Sequence, residues 1–458
     1  MCDSTPATRV ARPLATSALF VTTVILLGGC AAIDARPDLS RSAALVSERS
    51  NVSADWTTPW DASLTSWDAA SPLSQEAALA MALRNNRDLR AQVEQIVGAR
   101  ADLAQAGLLP NPMVTLAFRV PVDPVEGGTF LGAGVMQSFV ALWLREGKVR
   151  AADARLNQVV LDVSDRAIRL AAEVKTMHAR IAFGEQALRL ADEITASDRR
   201  TIEVLDARVR GGEGTLLEVN RAKQLLAEAE TQRIMATREL ATDRRAMLEL
   251  IGFPGASATW TVAPVTEPAQ GPADEAAAVA LALSQRLDVA ASLAMVEASA
   301  AELSLEERSR VRDLALGMDV ERGHMGEKSA GPVLNMEVPI FDTNAAQVAR
   351  AGSAARAALA SFEAASQRAV REVRVAWVEF ESGRLLLEHH RTDVLQLAEE
   401  NLTLAEAALR AGETDVTVFL EAQREVIRAR RELLDAERAL TLTAIELERA
   451  VGGLLSPR

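Results

Sequence analysis

Two long proline-free spans, each broken once by glycine, constrain this chain more than any other feature. No proline occurs between Pro124 and Pro254 or between Pro339 and Pro457. Both spans are dense in Ala, Leu, Arg and Glu, the residues that cost a helix least. The first is interrupted at Arg210-Gly211-Gly212-Glu213 and the second, 200 positions later, at Arg410-Ala411-Gly412-Glu413. A glycine closing a helix usually adopts the left-handed conformation that L side chains avoid. Each span therefore predicts a helical hairpin, with Gly212 and Gly412 at its turn.

The offset of 200 extends well beyond the turns and marks an internal duplication. It pairs Trp60 with Trp260, Pro72 with Pro272, Asp88 with Asp288, Leu103 with Leu303, Leu116 with Leu316, Leu240 with Leu440 and Gly252 with Gly452. After each turn, apolar residues recur at alternating spacings of three and four, which is a coiled-coil seam. Its positions include Val219, Ala222, Ala229, Arg233, Leu240, Asp243 and Met247 in the first half, and Phe419, Ala422, Ala429, Leu433 and Leu447 in the second. So many alanines imply helices packed closer than leucine seams allow.

Short segments of a different period separate the helices. Val114, Leu116, Phe118 and Val120 alternate with Thr115, Ala117 and Arg119, and Leu314, Leu316, Met318 and Val320 alternate with Ala315, Gly317, Asp319 and Glu321. Leu334, Met336, Val338 and Ile340 repeat the pattern. A period of two is a strand with one apolar face. Expected strands are 112–121, 129–140, 312–322 and 332–341, the second without a readable phase because Gly132 and Gly134 carry no signal. Such strands match membrane β-strands. Four cannot close a barrel, and an open edge is not tolerated in lipid, so several chains must share one.

The expected organisation is a signal peptide over 1–29, an irregular arm over 30–72, a first repeat over 73–252, a linker over 253–273, a second repeat over 274–453 and a tail over 454–458. Each repeat opens with one unbroken helix, at 73–109 and 274–309, and the longer helices reach Arg210 and Arg410. At about 1.5 Å per residue, two short helices end to end match one long one, as in the wall of a tube with linker and arm meeting at its waist.

Arg9 and Arg12 precede an apolar run that ends in Leu27-Gly28-Gly29-Cys30, the form of a secretory leader. The cysteine at the cut resembles a bacterial lipobox, which implies cleavage before Cys30 and a diacylglycerol and fatty acid on it. Ala31 is, by the same resemblance, compatible with the outer membrane. Cys2 leaves with the leader, so the mature chain has no internal disulfide. A formal charge of −13 argues against nucleic acid as a partner. Aromatics are 3% with no tyrosine, which argues against a conventional globular interior. His178, His324, His389 and His390 show no metal-ligand spacing, and no nucleophile-base set or phosphate loop is present, so no enzyme, metal or cofactor is expected.

In this order the features resemble the outer-membrane efflux protein family, the TolC-like exit ducts. The resemblance is carried by the lipobox, the repeat, Leu108-Leu109-Pro110-Asn111-Pro112 before the first strand, Val338-Pro339-Ile340-Phe341 after the fourth, and the Arg-x-Gly turns. The stretch from Gln105 to Pro112 is most similar to the heavy-metal efflux branch. The resemblance implies a mainly α fold with membrane β: a long coiled-coil helical barrel, with four strands per chain in a trimeric twelve-stranded β-barrel. It implies a passive outer-membrane duct reaching into the periplasm of a Gram-negative bacterium. Its partners would be two further copies, a periplasmic adaptor, an inner-membrane pump and outer-membrane lipid, and its cargo metal ions or drugs. The turns Arg210, Gly211, Gly212, Glu213, Arg410, Gly412 and Glu413 would dock the adaptor. In the family, acidic residues six and nine positions after the second glycine ring the gate. Here those positions hold Val418 and Glu421, while Glu218 lies six after Gly212. The alternative is a non-transporting periplasmic coiled-coil lipoprotein.

Overall fold

The computed structural model describes residues 33–58, 67, 70–120, 128–257, 259–265, 272–310, 314–323 and 325–455. The leader, Cys30, Trp60 and His324 lie outside them. From Ala35 onward the chain forms one compact unit. Its elements are α1 (Arg36–Ser50), α2 (Gln75–Asn85), α3 (Arg87–Ala106), β1 (Met113–Arg119), β2 (Phe130–Ser138), α4 (Val140–Arg210) and α5 (Leu216–Leu250). They continue with α6 (Glu275–Gln285), α7 (Leu287–Arg308), β3 (Leu314–Arg322), β4 (Lys328–Met336) and α8 (Ala345–His389). A π-turn (His390–Val394), α9 (Leu395–Ala411) and α10 (Val416–Val451) complete it.

The 71-residue α4 is the spine; at about 1.5 Å per residue it extends roughly 105 Å. In its upper half it packs between α3 and α7, and α8 lies on the far side of α7. In its lower half it packs between α5 and α10, with α8 and α9 against α10. The wall is thus four helices wide throughout, α3–α4–α7–α8 above and α5–α4–α10–α9 below. Alanine lets these helices approach: Ala222, Ala229 and Ala429 are buried in the return helices. Arg233, a seam position by spacing, instead turns to solvent and meets Asp192 at 2.6 Å, because a guanidinium is cheaper to hydrate than to bury.

Three expectations are corrected. Residues 36–50 are helical rather than irregular. Leu39, Ala43 and Val46 are buried along one helical face against α4, and Asp38 bonds Arg100 at 2.5 and 2.7 Å. Each opening helix is two helices. Asn86 takes an extended conformation (ψ 123°) and caps α3 by accepting from the Leu89 amide at 3.0 Å, and Arg286 breaks the second repeat in the same way (ψ 122°). Finally, β4 runs over Lys328–Met336, not 332–341. Its pairing with β3 ends at Leu314↔Met336, so the alternating Val338 and Ile340 lie beyond the ladder.

The four strands form one antiparallel sheet in chain order. Its register resolves the phase of β2: Leu116 lies opposite Ala133, Val135 opposite Met318, and Leu316 opposite Leu334. Because opposed residues share a face, Val114, Leu116, Phe118, Leu131, Val135, Leu316, Met318, Val320 and Leu334 form one apolar surface. All nine are solvent-exposed in the single chain. The other face carries Thr115, Arg119, Gly134, Asp319 and Glu321. Strands of seven to nine residues span about 23–30 Å, close to the apolar band of an outer-membrane barrel. No single described helix is long and apolar enough to cross a membrane.

At the waist, Leu73 bridges Val262 in parallel: the Leu73 amide donates to Thr261 O at 2.8 Å and the Ala263 amide to Leu73 O at 2.9 Å. The buried Trp260 packs edge-on to Trp67 at 5.3 Å, and the Trp56 indole donates to Leu83 O at 3.1 Å. Here the ends of the return helices meet the helix breaks. Gly252 (φ +84°) abuts Asn85, where a Cβ would lie 2.7 Å from the Asn85 Cβ, and Gly452 (φ +95°) abuts Arg286 equally closely at 2.9 Å. Arg286 is the hub of the second joint, reaching Asp288 at 2.7 Å, Glu372 at 2.9 Å and Ala450 O at 3.1 Å. Burial opposes its charge, but Asp288 and Glu372 more than offset this and hold its pKa above the usual value.

Candidate functional site

The hairpin tips are built alike. Gly212 (φ +78°) and Gly412 (φ +73°) are left-handed, and the next amide closes back onto the helix: Glu213 N to Arg208 O at 3.0 Å, Glu413 N to Ala408 O at 2.9 Å. This is the six-to-one bond of a Schellman motif. Beyond the adjoining residues, no atom of the described residues lies within 4 Å of a Cβ built on either glycine, so the left-handed backbone, and not crowding, favours glycine there. Gly211 keeps right-handed geometry (φ −76°). Arg210, Glu213 and Glu413 are exposed, and Arg410 pairs with Glu406 at 2.5 Å. An apolar cluster of Leu205, Val219, Ala222, Val416 and Leu420 joins the two tips. Leu216 and Leu217, 70% and 61% exposed, remain on the outside.

The two candidate gate carboxylates differ in their surroundings. Glu218 is committed locally: its Oε2 accepts from the Thr215 amide at 2.9 Å while its own amide donates to Thr215 Oγ1 at 3.3 Å, a capping box for α5. The sequence carries that signal, Thr followed three residues later by Glu. Glu421 is exposed on α10. Arg424, its neighbour one turn on, reaches instead toward Glu228 at 3.9 Å.

Of the histidines, His178 is buried on α4, with Nε2 2.9 Å from Leu73 O. His389 Nδ1 lies 2.9 Å from Asp393, one turn along. Among the described residues no group of three or more His, Cys, Asp or Glu side chains is placed to hold a metal.

A protein-family model described as outer membrane efflux protein matches residues 278–453. The second repeat belongs to this family. The efflux-protein domain thus covers α6 through α10 with β3 and β4, and the first repeat carries the same order of elements 200 residues earlier. Two curated relatives extend the likeness to both repeats. The cobalt-zinc-cadmium resistance protein CzcC of Cupriavidus metallidurans is 23% identical over 84% of this chain and 91% of its own length. The outer membrane protein OprJ of Pseudomonas aeruginosa is 25% identical over 81% and 82%. Among solved structures, CusC superposes with a TM-score of 0.72 at 17% identity, covering 86% of this chain and 97% of that one. The open MtrE outer membrane channel of Neisseria gonorrhoeae gives 0.70 at 18% identity, covering 86% and 94%. The fold is therefore that of the TolC-like channels: a long helical barrel with β-strands.

Proposed function

We propose that three copies of this chain form the outer-membrane exit duct of a tripartite efflux system. The observation that carries this reading is the continuity of one chain from an amphipathic sheet with unpaired edges into hairpins of roughly 105 Å. An apolar sheet face calls for lipid, unpaired edges call for further strands, and the hairpins are long enough to bridge much of a periplasm. Twelve strands from three copies close a barrel. The duct supplies no energy, so an inner-membrane pump must load it through a periplasmic adaptor, and the hairpin tips are the surface available to that adaptor. Cys30, acylated by diacylglycerol and a fatty acid, anchors the amino terminus in the outer membrane of a Gram-negative cell. Glu421 from three chains rings the inner end of the tunnel, while Glu218 caps its helix. The cargo is metal ions, the class suggested by the name of the cobalt-zinc-cadmium resistance relative, or drugs.

Deleting the gene should raise cellular accumulation of the transported metal ions or drugs. Gly412→Val, which forces a β-branched residue into left-handed backbone, should assemble oligomers at the parental level yet fail to restore efflux or crosslink to the adaptor. Full restoration of efflux with parental crosslinking would overturn the tip-docking assignment.

A further inference from the structure

Among the described residues the wall has two unpartnered flanks, α3 at one edge and α8 at the other, just as the sheet has unpaired edges at β1 and β4. On α3 the exposed flank is Asp88, Ala91, Gln95, Gly98, Asp102 and Gln105, spaced alternately by three and four. On α8 it is Ala354, Ala357, Ser361, Ala364 and Arg368, at the same spacing, with Arg356 beside it. Both are heptad seams lacking a second helix.

Charge divides unequally between them. Asp88 and Asp102 on α3, and Arg356 and Arg368 on α8, are exposed and form no ion pair within 4 Å among the described residues. Glu94 and Glu363 lie mid-flank, each one position off its stripe.

The heights match as well. A Cβ on Gly107, after α3, would meet Val149 of α4 at 4.0 Å, and one on Gly147 of α4 would meet Leu305 of α7 at 3.1 Å. So α3 and α7 stand level on either side of α4, following the 200-residue repeat. Running antiparallel to α7, α8 has Glu372 level with Arg286 (2.9 Å) and Gly352 level with Leu303 (3.9 Å). Transferred by the repeat, Asp102 stands within a turn of Arg356 and Asp88 within a turn of Arg368.

We propose that the α8 flank of one copy docks on the α3 flank of the next, with Asp102 meeting Arg356 and Asp88 meeting Arg368 across the seam. This rests on the reading of the chain as one wall segment of a closed duct. The small residues between the charges allow close approach. The ion pairs fix the vertical register more than they add energy, since exposed pairs are weak. The stripe continues down the tube through the exposed Leu385, Leu397 and Leu404, which face the next copy's α5. Leu385 and Leu397 are twelve residues apart, one more than three α-helical turns, and the π-turn between them absorbs the extra residue and keeps the stripe in phase.

The test is disulfide crosslinking of the full chain in outer membranes. Asp102→Cys with Arg356→Cys should give oxidant-dependent dimer and trimer bands, and neither single variant should. Asp102→Arg alone should lower the yield of oligomer several-fold, and Asp102→Arg with Arg356→Asp should restore it. Oligomers of parental mass with no crosslink and no charge-swap rescue would overturn the seam while leaving the duct reading intact. A chain that stays monomeric would overturn both.

Discussion

Burial sets the behaviour of His178. It lies buried on α4, its ring Nε2 is 2.9 Å from Leu73 O, and that carbonyl also holds the Ala263 amide of the waist bridge. Burial lowers its pKa below 6.5, with the Leu73 contact and Glu185 opposing more weakly, and Glu185 is itself paired with Arg244 at 2.8 Å. Since the folded pKa is the lower one, the unfolded chain takes up a proton first as pH falls. The neutral ring's contribution is complete above about 6.5 and is lost as pH drops through the depressed folded value. Asp165 acts in the opposite sense: burial raises its pKa from 3.8 to about 6, so its cost grows as pH rises through that interval and levels off above it. His178→Gln keeps a donor for Leu73 O and removes the titration. Its unfolding midpoint should therefore fall less than the parent's between pH 7 and 5, and parallel curves would contradict the assignment. None of this was legible from the sequence, where His178 is one histidine on a long helix and its partner lies 105 positions away. The glycines were more legible. Gly252 and Gly452 already stood out by their matching offset, and the joints with Asn85 and Arg286 explain it.

Helices and strands were readable where a period or a glycine announced them, and unreadable where a single residue changed course. The long helices, the tips and the apolar faces of β1 and β3 follow from spacing alone. The breaks at Asn86 and Arg286 carry no proline or glycine and rest on one extended residue each. The end of β4 was hidden because alternation outlasts the ladder. The π-turn left a subtler trace. Gly184 and Gly383 both sit against the return helix, at Leu240 and Leu440, but are 199 residues apart, whereas Gly212 and Gly412 are 200 apart. One extra residue therefore enters the second repeat between Gly383 and Gly412, and the π-turn at His390–Val394 takes it up. π-Bulges arise in this way and often persist at functional positions. Deleting Thr392 should convert the turn to α-helix and leave everything below it in place, with oligomer yield near parental. Deleting Ala357, in regular helix, should rotate the lower stripe by about 100° and abolish assembly. Equal losses from both deletions, measured by native gel, would refute this account of the π-turn.

At the scale of the whole molecule, the single chain is an incomplete object. Its described residues present an apolar sheet face, two unpaired strand edges and two unpartnered helix flanks, and each of these is covered if identical copies close around an axis. Sequence reasoning reached this point because four membrane strands cannot form a barrel. It could not reach the seam, since facing flanks are set by which helix lies at which edge of the wall, a tertiary fact. The central claim, that closed copies form a water-filled duct through a membrane, is tested most directly by single-channel current across a planar bilayer containing the purified full-length chain. Discrete, long-lived ohmic steps are expected, with weaker cation selectivity in Glu421→Ala. Folded complexes that incorporate into the bilayer and leave its resistance unchanged, for the parent and for Glu421→Ala alike, would contradict it.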